Sequence, residues 1–283
     1  MKKIHAFLPL AAFLLTQTVT AQDAITSGEI RYEATRRIDL SQVRVNINGQ
    51  EVRPGGTLPN GQTFDMPQTT TYGQSLLFSG DMAMEKRDAP AMMMRSMRVG
   101  GPEGPGGAAG GDRGPDNRPM RNRQFTPPFD NSTYIDMSSQ TMITVLSVKK
   151  DSVTTEHYRN DEPITRDSTW REDDKTKKLL GYKCKRATAN IRNTPYTIWY
   201  TTEIPLTYSP VARLTPDKGV VLQIESDQEA FKATKIESKA IEAATLRPNA
   251  KAQLVSKKQM EEIRRKSMAS FRQRMMAENP MRN

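Results

Sequence analysis

The sequence predicts a mainly β (α+β) fold: a curved antiparallel sheet followed by a C-terminal amphipathic helix. Three observations carry this. From Ile30 to Ile38 the chain alternates, with Ile30, Tyr32, Ala34 and Ile38 on one face and Glu29, Arg31, Glu33 and Arg37 on the other. That is the period of a strand buried on one side. Further short apolar runs follow with turn residues between them, as in an antiparallel meander. From Ser256 to Met276 the period changes to that of a helix, and Met260, Ile263, Met268, Phe271 and Met275 fall near one face.

Taken in order, Lys2 and Lys3 precede an apolar run, Ile4 to Leu15, too short for an ordinary membrane span, and Val19-Thr20-Ala21 supplies small residues for cleavage after Ala21. Residues 1–21 therefore read as a signal peptide. No cysteine follows the run to accept a lipid. Residues 22–245 read as a single β domain. Asn46 to Gln62 is turn-rich and reads as a loop or weak hairpin; Ser75 to Met84 reads as one strand. Met142 to Val148 and Val153 to Tyr158 pair across Lys149-Lys150-Asp151, and Ile164 to Trp170 is a further strand. Tyr182 to Ile191 and Tyr196 to Thr201 form a hairpin over Arg192-Asn193-Thr194, and Gly219 to Glu225 and Ala230 to Ile236 complete the set.

Residues 87–123 interrupt this domain. They hold about half of the chain's 17 glycines, several prolines and few branched apolar residues. Such a segment cannot bury enough surface to offset its ordering entropy, so disorder is expected there. Residues 246–283 read as a basic helical tail. Ser256 and Gln259 have capping-box spacing, Glu261 and Glu262 lie early, Arg272 and Arg274 late, and Asn279-Pro280 ends the helix.

The densest apolar block is Lys178 to Pro205. In Tyr196 to Thr201 both parities are apolar or aromatic, which places the strand centrally with both faces covered. In Tyr182 to Ile191 the apolar phase changes, from Tyr182 and Cys184 to Ala187, Ala189 and Ile191. A β-bulge near Lys185-Arg186 would absorb such a slip, and bulges bend sheets.

The chain carries 42 Lys+Arg against 32 Asp+Glu, a net +10, which falls to +8 once Lys2 and Lys3 leave with the signal. For an exported protein this excess points to an acidic partner or an anionic membrane surface and away from nucleic acid. Catalytic equipment is sparse. His157 is the one histidine left after processing, and as a strand residue it needs a nucleophile and an orienting acid before it can act. Cys184, the single cysteine, reads as structural. One histidine and one cysteine cannot close a zinc site. Glu172-Asp173-Asp174 lacks ligand spacing, and with Lys175 to Lys178 behind it reads as a solvated hairpin turn. Gly104 to Ala109 fits G-x-G-x-x-A, yet no strand precedes it and no helix opens after it. Met82, Met84, Met92, Met93, Met94 and Met97 lack the flanking histidines of a copper segment. The sequence thus assigns no catalytic, cofactor-binding or metal-binding residue, and no cofactor.

Several strings resemble the GLPGLI family of Bacteroidetes: Trp170, LLGYKCKRAT (Leu179 to Thr188), YTIWYTTEIP (Tyr196 to Pro205), the Ser209-Pro210 loop, ITSGEIRYEA near the mature start, and the Lys/Arg/Met-rich helix. The eponymous string is altered to Leu214-Thr215-Pro216-Asp217-Lys218-Gly219-Val220-Val221-Leu222. The resemblance implies a secreted protein of unestablished activity, similar to the bowl-shaped N-terminal domain of a peptide:N-glycosidase and, more distantly, to unclosed barrels of the lipoprotein-carrier type. A bowl-like sheet or half-barrel is the architecture it implies. The expectation is a non-enzymatic binding or accessory protein, exported to the periplasm, outer membrane or exterior, that holds a protein, glycan or lipid on its concave sheet face. A lipid or lipoprotein carrier, or an accessory domain of a glycan-acting system, is the alternative.

Overall fold

The computed structural model describes residues 25–47, 50–58, 61–88, 127–151 and 153–278. The segment expected to be a signal peptide, the glycine-rich string, the methionines from Met92 to Met97 and Asn279-Pro280 lie outside them.

One twelve-stranded open, curved sheet dominates. Its strands are β1 (Ser27–Arg37), β4 (Thr69–Ser79), β5 (Met82–Arg87), β6 (Phe129–Asp136), β7 (Thr141–Lys149), β8 (Thr155–Pro163), β9 (Arg171–Leu179), β10 (Tyr182–Ile191), β11 (Thr194–Thr201), β12 (Val220–Glu225), β13 (Glu229–Ser238) and β14 (Gln253–Leu254). They lie in the order β14-β8-β7-β6-β5-β4-β1-β13-β12-β11-β10-β9. Every pairing is antiparallel except β14 with β8. A separate small hairpin joins β2 (Val45–Ile47) to β3 (Gln50–Val52). The helix α1 (Lys257–Glu278) packs on β7 and β8.

The alternation of β1 translates into burial except at Glu29, which is buried although expected on the polar face. Ile30, Tyr32 and Ala34 are buried, and Arg31 and Glu33 are exposed. Four strand expectations are corrected. Ser75 to Met84 is not one strand but a hairpin broken at Gly80-Asp81, where Gly80 adopts φ +58°. Arg87 belongs to β5 rather than to the insertion. Ile164 to Trp170 is a loop, because the Asp167 carboxylate draws the backbone N–H and hydroxyl of Thr169 into a turn and the Trp170 N–H donates to Asp167 O. The strand comes next, at β9, and runs straight through Glu172-Asp173-Asp174, which were expected in a turn. As the sheet's free edge, β9 needs no apolar face, and its charges obstruct pairing with another chain.

The bulge appears where expected, but on the neighbouring strand. Lys185 opposes Thr176 and Arg186 opposes Asp173, so Asp174 and Lys175 are the extra residues, both in β9. Between β10 and β11 the register runs unbroken. The phase change in Tyr182 to Ile191 has a different cause: Cys184 enters one core cluster and Ala187 and Ala189 enter another. Strand β11 is likewise covered twice, with Tyr196, Ile198 and Tyr200 in the second cluster and Trp199 packed against the first.

The two halves of the sheet meet along a split. Strand β12 pairs with β13 over only three residues, Gln223–Glu225. Before that it runs beside Tyr208, whose N–H donates to Gly219 O and whose carbonyl accepts from Val221 N. Residues 202–219 thereby fold back onto the sheet, and Ile204, Leu206 and Tyr208 join Ile30, Leu76 and Phe78 in one core. Gly219 makes the return possible: its φ is +102°, and a Cβ there would lie 2.3 Å from Thr201 O.

Candidate ligand-binding cleft at the sheet edge

Much of where a site was expected is occupied by the chain itself, although a cleft of about 350 Å³ remains where Ile204, Leu206 and Thr207 meet Lys218 and Gly219 of the altered loop. The apolar sheet face that would hold a lipid is covered by Ile204, Leu206 and Tyr208. The altered loop is core: Leu214 is buried against Ile198 and Tyr200, Thr215 is buried, and Arg213 pairs with the buried Asp167 carboxylate. Cys184 has no exposed surface, and burial pushes its thiol up to about 11. Asp173 is paired with Arg186, which holds its carboxyl below the usual range. Glu172 accepts from the Trp170 indole at 3.4 Å.

His157 does sit at a cleft. Strand β14 is two residues long and pairs only Gln253 with Tyr158 and Leu254 with Arg159. Towards the β7–β8 turn, β8 runs past the stretch that β14 covers. There a cleft of about 480 Å³ opens between Glu156, His157 and Tyr158 on β8 and Asn249, Lys251 and Gln253 on the segment entering β14. Thr155 completes the lining, so every lining side chain carries a hydrogen-bonding group.

The β8 wall is held along its whole length, the facing wall at a few points. The β7–β8 ladder is continuous from Thr141–Pro163 to Lys149–Thr155, and Ser147 Oγ lies 2.9 Å from His157 Nδ1 across it. The facing segment is pinned by Val255 N to Arg159 O at 2.8 Å and Asn160 Nδ2 to Val255 O at 3.0 Å. The helix cap follows at once: Ser256 N donates to Gln259 Oε1 and Gln259 N to Ser256 Oγ, a reciprocal capping box. Met260 and Val255 then bury against Leu146 and Val148, and Lys257 reaches Glu162 at 3.3 Å.

Inside the cleft Glu156 is already engaged. The Tyr158 hydroxyl and the Lys150 ammonium both bind its Oε2, and together they hold its carboxyl below the usual range. The bond to Glu156 raises the Tyr158 phenol in turn. Glu156 is the single carboxylate in the lining, whereas glycoside cleavage by acid and base calls for two. Among the described residues the His157 ring bonds only Ser147, so no acid orients it as a general base. What the lining offers is hydrogen-bond donors and acceptors. Pockets for apolar molecules are lined mainly by apolar groups, and this one suits a hydroxyl-rich ligand.

Sequence reasoning passed over this site because its walls are far apart in the chain, one within residues 155–158 and the other within 249–253. The stretch from Arg247 to Leu254 carries no periodic signal and no motif.

Comparison with known proteins gives one family. The model for "N-glycanase peptide, N-terminal domain" matches residues 117–262, just over half of the chain. No curated protein matches. Two solved structures of PNGF-II, in the C2 and P21 space groups, are similar at 12% and 13% identity with TM-scores of 0.49 and 0.48. These alignments take in 85% and 86% of this chain and 33% and 34% of the other. The chain thus spans about a third of the length of those structures. Among the described residues no helix is long and apolar enough to cross a membrane.

Proposed function

The chain belongs to the family of N-glycanase peptide N-terminal domains, and on that footing we propose that it is a non-catalytic accessory protein that binds the glycan portion of an envelope or secreted partner. The cleft at the β8 edge carries this reading. It has the wholly hydrogen-bonding lining that sugar hydroxyls require, on a β8 wall held by a continuous ladder. The covered sheet face weighs against a lipid carrier, since Ile204, Leu206 and Tyr208 stand where acyl chains would lie. Export from the cell, which the lysine-led apolar leader and the GLPGLI resemblance support, belongs to the same reading.

The test is capture. The immobilised protein should retain a panel of N-glycosylated proteins and lose them after enzymatic deglycosylation, while releasing no glycan itself. Retention that is indifferent to deglycosylation would overturn the glycan reading, and glycan release by the purified chain would overturn the non-catalytic one.

A further inference from the structure

We infer that the β8-edge cleft selects anionic sugars, those bearing a carboxylate or a sulfate, over neutral ones. This rests on the reading of the cleft as a glycan site and adds the class of sugar it takes.

The argument is a local balance of charge and of unpaired donors. On the β8 wall Glu156 is neutralised by Lys150 at 2.9 Å and has its Oε2 taken by Tyr158. The opposite wall contributes one cation, Lys251, beside Asn249 and Gln253, and no carboxylate. Lys257 is committed to Glu162. Lys251 lines the cleft, is exposed, and has no ion-pair partner among the described residues. Its backbone N–H is tied to Asn249 Oδ1 at 2.9 Å, which fixes where the side chain departs while leaving the ammonium free. Asn249 Nδ2 adds a donor with no partner among the described residues, and His157 Nε2 adds another in the tautomer where Ser147 donates to Nδ1. A neutral sugar would leave that ammonium unanswered, whereas an anionic one would gain a charge-assisted hydrogen bond, about twice as strong as a neutral one.

The test uses the whole chain and three disaccharides: one containing a uronate, one sulfated, and neutral lactose. By titration calorimetry at low ionic strength, at least one anionic disaccharide should bind roughly tenfold more tightly than lactose, a preference worth about 1.4 kcal/mol. Comparing the uronate with the sulfated sugar tells which anion the cleft prefers. The preference should shrink as salt is raised. Lys251→Gln should weaken the anionic disaccharide until it binds no more tightly than lactose does to the same variant. Equal binding of all three sugars, or a preference that survives Lys251→Gln, would overturn the anionic inference and leave the glycan cleft standing. Failure of all three to bind would overturn the anionic inference, and if the same preparation also ignores glycoproteins it would overturn the glycan reading as well.

Discussion

Glu85 brings a carboxyl to the margin of the larger core, where its side chain is 9% exposed. Burial raises its carboxyl above the ordinary range, and Arg87 and the Tyr208 hydroxyl oppose this only in part. Tyr208 Oη donates to Glu85 Oε1 at 3.0 Å and accepts from Gln74 Nε2 at 3.1 Å, so this carboxyl helps to anchor the segment that folds back on the sheet. The sign of the linkage follows from the raised value. The folded state holds the Glu85 proton more tightly than the unfolded chain does. That contribution is fully present below the unfolded carboxyl range and is lost as pH rises through the raised folded value. Glu85→Gln should therefore unfold at a higher urea midpoint than the wild type at pH 7, and the two midpoints should converge as pH falls through the carboxylate range. A variant less stable than wild type at both pH values would show that the charged form matters more than its desolvation. The sequence held no hint of this residue, because Glu85, Gln74 and Tyr208 meet only after 202–219 has closed over the sheet.

Among the elements, the hairpins show how turn chemistry fixes register. Both β9–β10 and β10–β11 turn over two residues with positive φ, Leu180-Gly181 at 49° and 89° and Arg192-Asn193 at 52° and 64°. That is the type I′ pattern, whose twist matches the flanking strands. Arg192 is strained in this position, as side chains other than Gly, Asn and Asp seldom adopt it. The double substitution Arg192→Asn with Asn193→Gly should stabilise the fold by about 0.5–1 kcal/mol in denaturant melts. No gain would mean that the Arg192 side chain makes contacts which offset the strain. Here the sequence was largely legible: the hairpin, the covering of β11 on both faces and the capping box all follow from spacing. What misled were the polar strands. β6 (FDNSTYID) buries only Ile135, and β9 presents charges along its length. Neither shows an apolar period, because a strand templated by its neighbour can form without a core face of its own.

For the whole molecule, the candidate site depends on an assembly that spans the chain. Sheet order alone brings Asn249 and Lys251 beside His157, and no local signal announces such a meeting. The similarity to the N-terminal domain of a peptide:N-glycosidase and the β architecture were within reach of sequence patterns; the cleft was not. The site also hangs on unequal fastenings. Strands β1 and β4 pair over their full eleven residues, whereas β14 holds the outer wall of the cleft by two. Native-state hydrogen exchange should therefore find residues 253–278 opening at lower free energy than β1, β4 and β10. Equal protection throughout would show that the helix contacts at Met260 and Ile263 make the edge part of the global unfolding unit.

The junction of β14 with α1 has a mechanical consequence. Val255, Ser256 and Gln259 weld the cleft wall to the first turn of a 22-residue rod. The rod has its own footing on the sheet, where Arg264 donates to Asn131 Oδ1 at 2.9 Å and lies over Phe129 while Met260 and Ile263 pack on Leu146 and Val148. A load on Arg272 or Arg274 therefore meets β6 and β7 before it meets Gln253, and the near turns shield the cleft wall from what grips the far end.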